Sequence, residues 1–201
     1  SIPAADANHI RMCAASGRRI VEMVSEDLRP STILTRASFE NAITIAMAMG
    51  CSTNAIIHLI AEARRAGQDI TLDDFEAASR KIPVLANIRP SGTSAYLMED
   101  FYYAGGLPAL MTRLTAHLDL SARTVSGATL GEDIASAEVW NDDVIRRFDN
   151  PVYAEGGLAV LHGNLAPDGC VMKPSSCDPR FLMHLGPAMV FKSYAQMTAG
   201  I

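Results

Sequence analysis

Apolar residues in the first half of this chain recur at helical spacing, and in the last quarter they gather into short runs separated by turn residues. Phe39, Ala42, Ile43, Ala46 and Met47 fall at steps of three, four and seven, the spacing of one buried helix face, with Thr35 placed to cap its start. That helix stops at Gly50, and a second apolar run, Ala55-Ile56-Ile57-His58-Leu59-Ile60, begins almost at once and continues to Gly67, a left-handed terminator. Two successive helices so apolar predict the middle of a domain. Upstream, residues 7 to 25 predict a helix whose apolar stripe (Ile10, Met12, Cys13, Ile20, Val21, Met23) is broken at Ser16-Gly17. Downstream, Thr71-Leu72-Asp73-Asp74 is a helix start, with a Thr cap and acids in the first turn, and that helix must end before Pro83.

Val84-Leu85-Ala86-Asn87-Ile88 is an apolar run bounded by prolines, which predicts a buried strand or extended segment, and Pro90-Ser91-Gly92-Thr93-Ser94 is a turn. Tyr96 to Ala104 predicts a helix stopped by Gly105-Gly106, after which Pro108 opens another at a first-turn position. From about residue 121 the chain becomes polar and turn-rich and carries its only tryptophan, Trp140. The runs Leu158 to His162 and Cys170 to Lys173 then predict a β-hairpin turning through Ala166-Pro167-Asp168-Gly169. Ala188-Met189-Val190-Phe191 predicts a third strand, and Ser193 the cap of a final helix. The fold class is therefore α/β, α-rich first and β-forming last.

Composition narrows the function. Of 201 residues 49% are hydrophobic and 19% charged, which is globular, and the net charge of −5 without a Lys/Arg run argues against nucleic acid. No segment approaches the roughly 18 apolar residues of a membrane span. Ser1-Ile2-Pro3-Ala4-Ala5-Asp6 has neither an initiator Met nor a signal pattern, so the chain is read as not beginning where its gene begins. The four cysteines (Cys13, Cys51, Cys170, Cys177) have no metal-ligand spacing and read as reduced, buried thiols of a cytoplasmic protein. His58 and Glu62, four residues apart, read as a helix-surface pair.

The candidate chemistry lies in Gly50-Cys51-Ser52-Thr53-Asn54. Ser, Thr and Asn before an apolar run cap a helix by accepting from its free N–H groups, and such a start also grips an anion. From these residues alone, a capped inter-helix turn and an anion site are both open. No nucleophile–base pair, phosphate loop, dinucleotide fingerprint or metal cluster accompanies them.

Several strings carry a resemblance: Gly50 to Asn54, Leu72-Asp73-Asp74-Phe75, Pro90-Ser91-Gly92, Met98-Glu99-Asp100-Phe101-Tyr102-Tyr103-Ala104-Gly105-Gly106-Leu107-Pro108, Phe148-Asp149-Asn150-Pro151, and Gly156 through Gly169 with its Gly163-Asn164-Leu165-Ala166-Pro167-Asp168-Gly169 core. In order, and over essentially the whole chain, they resemble the dihydroxy-acid / sugar-acid dehydratase family. The resemblance implies dehydration of a 2,3-dihydroxy acid to a 2-keto-3-deoxy acid by an enzyme holding a 2Fe–2S cluster on three cysteines and a Mg²⁺ beside a carboxylated lysine. A serine alkoxide is the base. It also implies an α-rich domain to about residue 120, a connector over 121–150, and the first strands of a β-barrel-like C-terminal domain over 151–201.

The residues that hold the cluster and Mg²⁺ in the family, and its serine base, match nothing here, so the chain is expected to be an internal part of such an enzyme, inactive and without cofactors alone. Ser52, Thr53 and Asn54 are the candidate substrate contacts. Glu99 and Asp100 read as helix-start charges before metal ligands, and Met, Phe and Tyr residues over 96–111 as core or subunit interface. An aldonate of the pentonate (arabinonate) type is the favoured substrate, with a branched-chain dihydroxy acid, or a non-catalytic fragment, as alternatives. The expected partners are a small acid and further copies of the chain in a cytoplasmic homo-oligomer, without nucleic acid or membrane.

Overall fold

The start and end of each helix follow from a few local groups. A computed structural model describes residues 2–93 and 95–200; Ser1 of the N-terminal string, Ser94 of the predicted turn and Ile201 lie outside the described residues. In chain order the elements are α1 (Ala7–Ser25), α2 (Pro30–Ile33), α3 (Arg36–Met49), α4 (Asn54–Arg65), α5 (Leu72–Ser79), α6 (Met98–Tyr103), α7 (Gly106–Thr112), α8 (Leu130–Ile134), β1 (Ala159–Gly163), β2 (Ala166–Met172) and α9 (Tyr194–Gly200). Thr35 and Ser38 cap α3 reciprocally, and Gly50 ends it in the left-handed region at φ 59°. Asp74 accepts from the Thr71 N–H at 2.8 Å to start α5, which ends before Pro83 as its sequence requires.

α3 is the centre of the packing, against α4 and α5. Phe39, Ile43, Ala46, Met47 and Ala48 are buried with Phe75, Phe101, Leu110, Leu114 and Leu158. The one side-chain amide inside this helix is bonded at both ends: Asn41 Nδ2 donates to the Asp119 carbonyl at 2.9 Å, and its Oδ1 accepts from the Asp119 N–H at 2.8 Å. Residues 84–88 form the buried extended segment expected. Leu85 and Ala86 donate to the Ala48 carbonyl at 2.8 and 3.1 Å, while Val84 and Asn87 pair with Tyr153 and Val144. The polar stretch after residue 121 is thereby tied in, and its Val144 and Ile145 are buried.

The structure corrects several expectations. α1 forms, but only Met23 is buried, and Ile10, Ile20, Val21 and Val24 face outward. The helix is held instead by polar contacts, Asn8 to the Tyr102 hydroxyl and Arg19 to the Val125 carbonyl. α4 is amphipathic rather than fully interior: Ile56 and Ala63 are buried while Ile57 is 65% exposed. His58 and Glu62 are both exposed, and no ion pair joins them among the described residues. The hairpin exists, but its turn is Asn164-Leu165, because Ala166 pairs with Gly163 and the residues after it belong to β2. Gly169 uses its positive φ of 95° inside β2, in a ladder whose register shifts between Leu161 and Gly163. Residues 188–191 form no strand: the chain leaves β2 through two short 3₁₀ turns and presents no backbone to either sheet edge. Ser193 does cap the last helix, accepting from the Gln196 N–H at 3.3 Å. Cys13 and Cys170 are exposed, not buried, and Cys51 and Cys177 are half-buried. No helix among the described residues is long and apolar enough to cross a membrane.

At the end of α3 two backbones cross with nothing between them. A Cβ on Gly157 would lie 2.2 Å from Gly50 Cα, and one on Gly156 would lie 2.9 Å from Ser79 Cα. The Gly156 and Gly157 N–H groups donate to Ser79 and Met47 carbonyls at 2.8 and 3.2 Å. Gly157→Ala is therefore expected to cost about 3 kcal/mol, because backbone, not a flexible side chain, would have to move. Gly17→Ala, with nothing within 4 Å in mid-helix, is expected to gain up to about 1 kcal/mol. Urea unfolding of the two variants checks both signs.

Candidate functional site

Gly50 turns the chain out of α3 so sharply that the next residues face a cleft of about 580 Å³. The cleft is lined by Cys51, Ser52 and Thr53 on one side of the turn, by Arg89, Pro90 and Ser91 from the loop after the extended segment, by Met98 at the start of α6, and by Lys173 and Ser176 just past β2. Three of these stretches meet at one carbonyl. Gly50 O accepts the Ser91 hydroxyl at 2.6 Å and the Lys173 ammonium at 2.8 Å.

The expected cap is made by one residue of three. α4 begins at Asn54, and Thr53 sits at its N-cap with helical angles (φ −56°, ψ −24°) and no side-chain cap bond. Ser52 Oγ does the work, accepting from the Asn54 N–H at 3.3 Å. Ser52 is exposed and Thr53 half-buried in the cleft wall; the Asn54 side chain is outside it. Of the three predicted contacts, then, two face the cleft and the third opens the helix.

The charges on the cleft are of one sign. Arg89 and Lys173 line it and no Asp or Glu does, in a chain whose net charge is −5. Burial pushes the Lys173 ammonium below its ordinary pKa, opposed by the neighbouring Cys51. Burial pushes the Cys51 thiol up, with Lys173 pulling it partly back. An open cleft with two cations, hydroxyls from Ser52, Thr53 and Ser176, and a helix N-terminus, set beside apolar Met49, Ile88, Pro90 and Met98, can take an anionic ligand that also carries hydroxyls. Lys173, Arg89 and Ser91 were not singled out by sequence as site residues. The only signals were their places, at the end of a strand run and in a Pro-Ser-Gly turn.

The remaining candidates have structural uses. Asp100 accepts from the Leu97 N–H at 2.7 Å and starts α6; neither it nor Glu99 lines the cleft. Phe101 is fully buried while Tyr103 is 60% exposed, its hydroxyl donating to Asp6. Asp73, Glu76 and His162, which no sequence spacing connects, come within 4.8 Å of one another at their ligand atoms. Glu76 is already bound by Arg80, which holds its carboxyl below the usual range, so that carboxylate of the trio has a structural partner. No cysteine joins that group, and no set of thiols is gathered anywhere among the described residues.

Comparison with known proteins identifies the family of the chain. Residues 1–133 match the dihydroxy-acid/6-phosphogluconate dehydratase N-terminal model, and residues 143–201 match the C-terminal one. The chain is 51% identical to 6-deoxy-6-sulfo-D-gluconate dehydratase of Pseudomonas putida over 98% of its own length and 34% of that protein's. It is 46% identical to L-arabinonate dehydratase of Rhizobium leguminosarum bv. trifolii (100% and 35% covered) and 47% identical to a dihydroxy-acid dehydratase of Acetivibrio thermocellus (96% and 35%). The chain thus spans about a third of the length of the curated relatives it matches.

The raised pKa of Cys51 has a direct readout, since the thiolate is the nucleophile. At pH 8, iodoacetamide is expected to modify exposed Cys13 and Cys170 well before Cys51, whose rate should climb only as pH rises further. Peptide mass spectrometry of a timed alkylation checks the order.

Proposed function

This chain belongs to the dihydroxy-acid/6-phosphogluconate dehydratase family, and from that premise we propose that its cleft binds a 2,3-dihydroxy sugar acid for dehydration in the complete protein. The single observation that carries the reading is the carboxylate-free, two-cation cleft at the Ser52 helix start. Dehydration removes a proton from C2 and hydroxide from C3 of the acid. The enol left behind tautomerises to a 2-keto-3-deoxy acid. Such a reaction needs the acid held by its charge and its two hydroxyls oriented before either bond breaks.

The residues here supply holding and orientation. Ser52 and Thr53 offer hydroxyls, and Asn54 opens the helix whose N-terminus faces negative charge. A 2Fe–2S cluster and Mg²⁺, which the family resemblance implies, would supply the Lewis acid for the leaving oxygen. The separated thiols of Cys13, Cys51, Cys170 and Cys177 do not fit a three-cysteine cluster, so no step is routed through one on this chain.

Within the family we favour an aldonate, of the pentonate type, over a branched-chain dihydroxy acid. The preference rests on the resemblance of Gly50-Cys51-Ser52 and of Phe101 to Pro108 to the sugar-acid branch; the cleft wall itself sets the Ser52, Thr53 and Ser176 hydroxyls among the apolar side chains of Met49, Ile88, Pro90 and Met98. The complete protein is read as a cytoplasmic homo-oligomer acting on a free acid, in keeping with the net charge of −5 and the free cysteines of this chain.

Two measurements on the complete protein test this. Ser52→Ala is expected to lower kcat/KM for a pentonate about tenfold, and an unchanged value would remove Ser52 from the site. Assayed side by side, a pentonate should exceed dihydroxyisovalerate in kcat/KM by at least about tenfold; the reverse order would assign the chain to the branched-chain acid.

A further inference from the structure

Lys173 is placed by the hairpin. β2 ends at Met172, which pairs with Ala159, so the next residue emerges beside the Gly157–Gly50 crossing. Its ammonium donates to Gly50 O at 2.8 Å, the one hydrogen bond it makes among the described residues. An ammonium has three protons to donate. No carboxylate forms an ion pair with it there, although the chain carries 22 acidic residues, and most of its arginines do have such partners. A half-buried cation on a cleft wall, with donors to spare and no counterion, is complementary to an anion brought by a ligand.

We propose that Lys173 binds the carboxylate of the acid held in the cleft at residues 50–54, which makes it a substrate-binding residue and rests on the reading of that cleft given above. Its bond to the Gly50 carbonyl fixes where the ammonium stands, so the acid meets a charge already in position. The hydroxylated part of the ligand is then directed along Ser52 and Thr53, which share the wall with it. Lys173 could instead serve only to clamp Gly50 O, and the two roles differ in one respect: a clamp does not sense the charge of the ligand.

The test uses the complete protein and two probes, a pentonate and its neutral pentonamide, with affinities measured by calorimetry. Lys173→Met is expected to weaken pentonate binding about 10- to 100-fold while changing pentonamide binding less than about twofold. In turnover KM for the pentonate should rise by the larger factor, with kcat little changed. Lys173→Gln, which keeps a donor for Gly50 O without the charge, should show the same selective loss, and it serves if the Met variant does not fold. Lys173→Arg should recover most of the affinity.

Equal losses for acid and amide would reduce Lys173 to the clamp and overturn the proposal. Unchanged pentonate binding in Lys173→Gln, with binding weakened in Ser52→Ala, would overturn it while leaving the cleft as the acid site. Unchanged binding in both variants would overturn both readings.

Discussion

The crossing of Gly157 over Gly50 is the contact on which the rest of the arrangement depends. With no side chain on either residue, the segment entering the hairpin lies directly on the end of α3, and its N–H groups bond the Met47 and Ser79 carbonyls. That close approach leaves Gly50 O turned toward the cleft, where Ser91 and Lys173 reach it. A carbonyl at a helix C-terminus carries partial negative charge and has no partner within its helix. Here it becomes the junction of the helical part, the 89–91 loop and the hairpin. Packing and site are therefore one problem: a group that pushed the backbones apart would also move the hydroxyl and the ammonium that wall the cleft.

The elements legible in the sequence are those with strong local causes. Thr35 as a cap, Thr71 with the acids that follow it, and Gly50 as a stop each act within one helical turn, and each does in the structure what its residue type allows. The extended segment 84–88 was equally readable, because prolines bound it and its apolar run was too short for a helix. The errors share an opposite cause. The hairpin turn was assigned to residues 166–169 on the strength of Gly169, yet the ladder pairs Gly163 with Ala166 and gives the glycine to a strand irregularity. Register is a property of two strands, and residue preferences at one of them cannot set it. Residues 188–191 had strand composition but found no edge to pair with, and composition does not supply a partner.

The residues of the candidate cleft were half legible for the same reason. Ser52 and Thr53 could be found because a helix start is local, and Ser52 does cap. The sign of the charge around them could not, since Arg89 and Lys173 come from distant stretches and meet the turn only through Gly50 O and the loop after residue 88. An acidic chain with a cleft of positive sign is a statement about arrangement, invisible to net charge. The apolar stripe of α1 shows the complementary limit: its spacing was correct, and Ile10, Val21 and Val24 are nonetheless exposed, because periodicity predicts a face and not what covers it.

The state of Lys173 in the free protein bears on why a lysine stands there. Taking an ammonium partly out of water costs free energy, and its depressed pKa records that cost. The protein meets it on folding, through the packing at the Gly50 crossing, before any ligand arrives. A carboxylate entering the cleft then gains an attraction strengthened by the same partial burial, with little further reorganisation of the cation. A fully exposed lysine would have to surrender its hydration and its rotamer freedom at the moment of binding, and its contribution would shrink toward that of a surface pair. An arginine would bring a broad planar fork where one proton must point at Gly50 O and the others at the ligand, a geometry that a compact, tetrahedral ammonium meets more directly. Burial, the glycine crossing and the absence of a lining carboxylate among the described residues thus act in one direction, and in the role proposed for Lys173 they hold a positive charge ready for an anionic ligand.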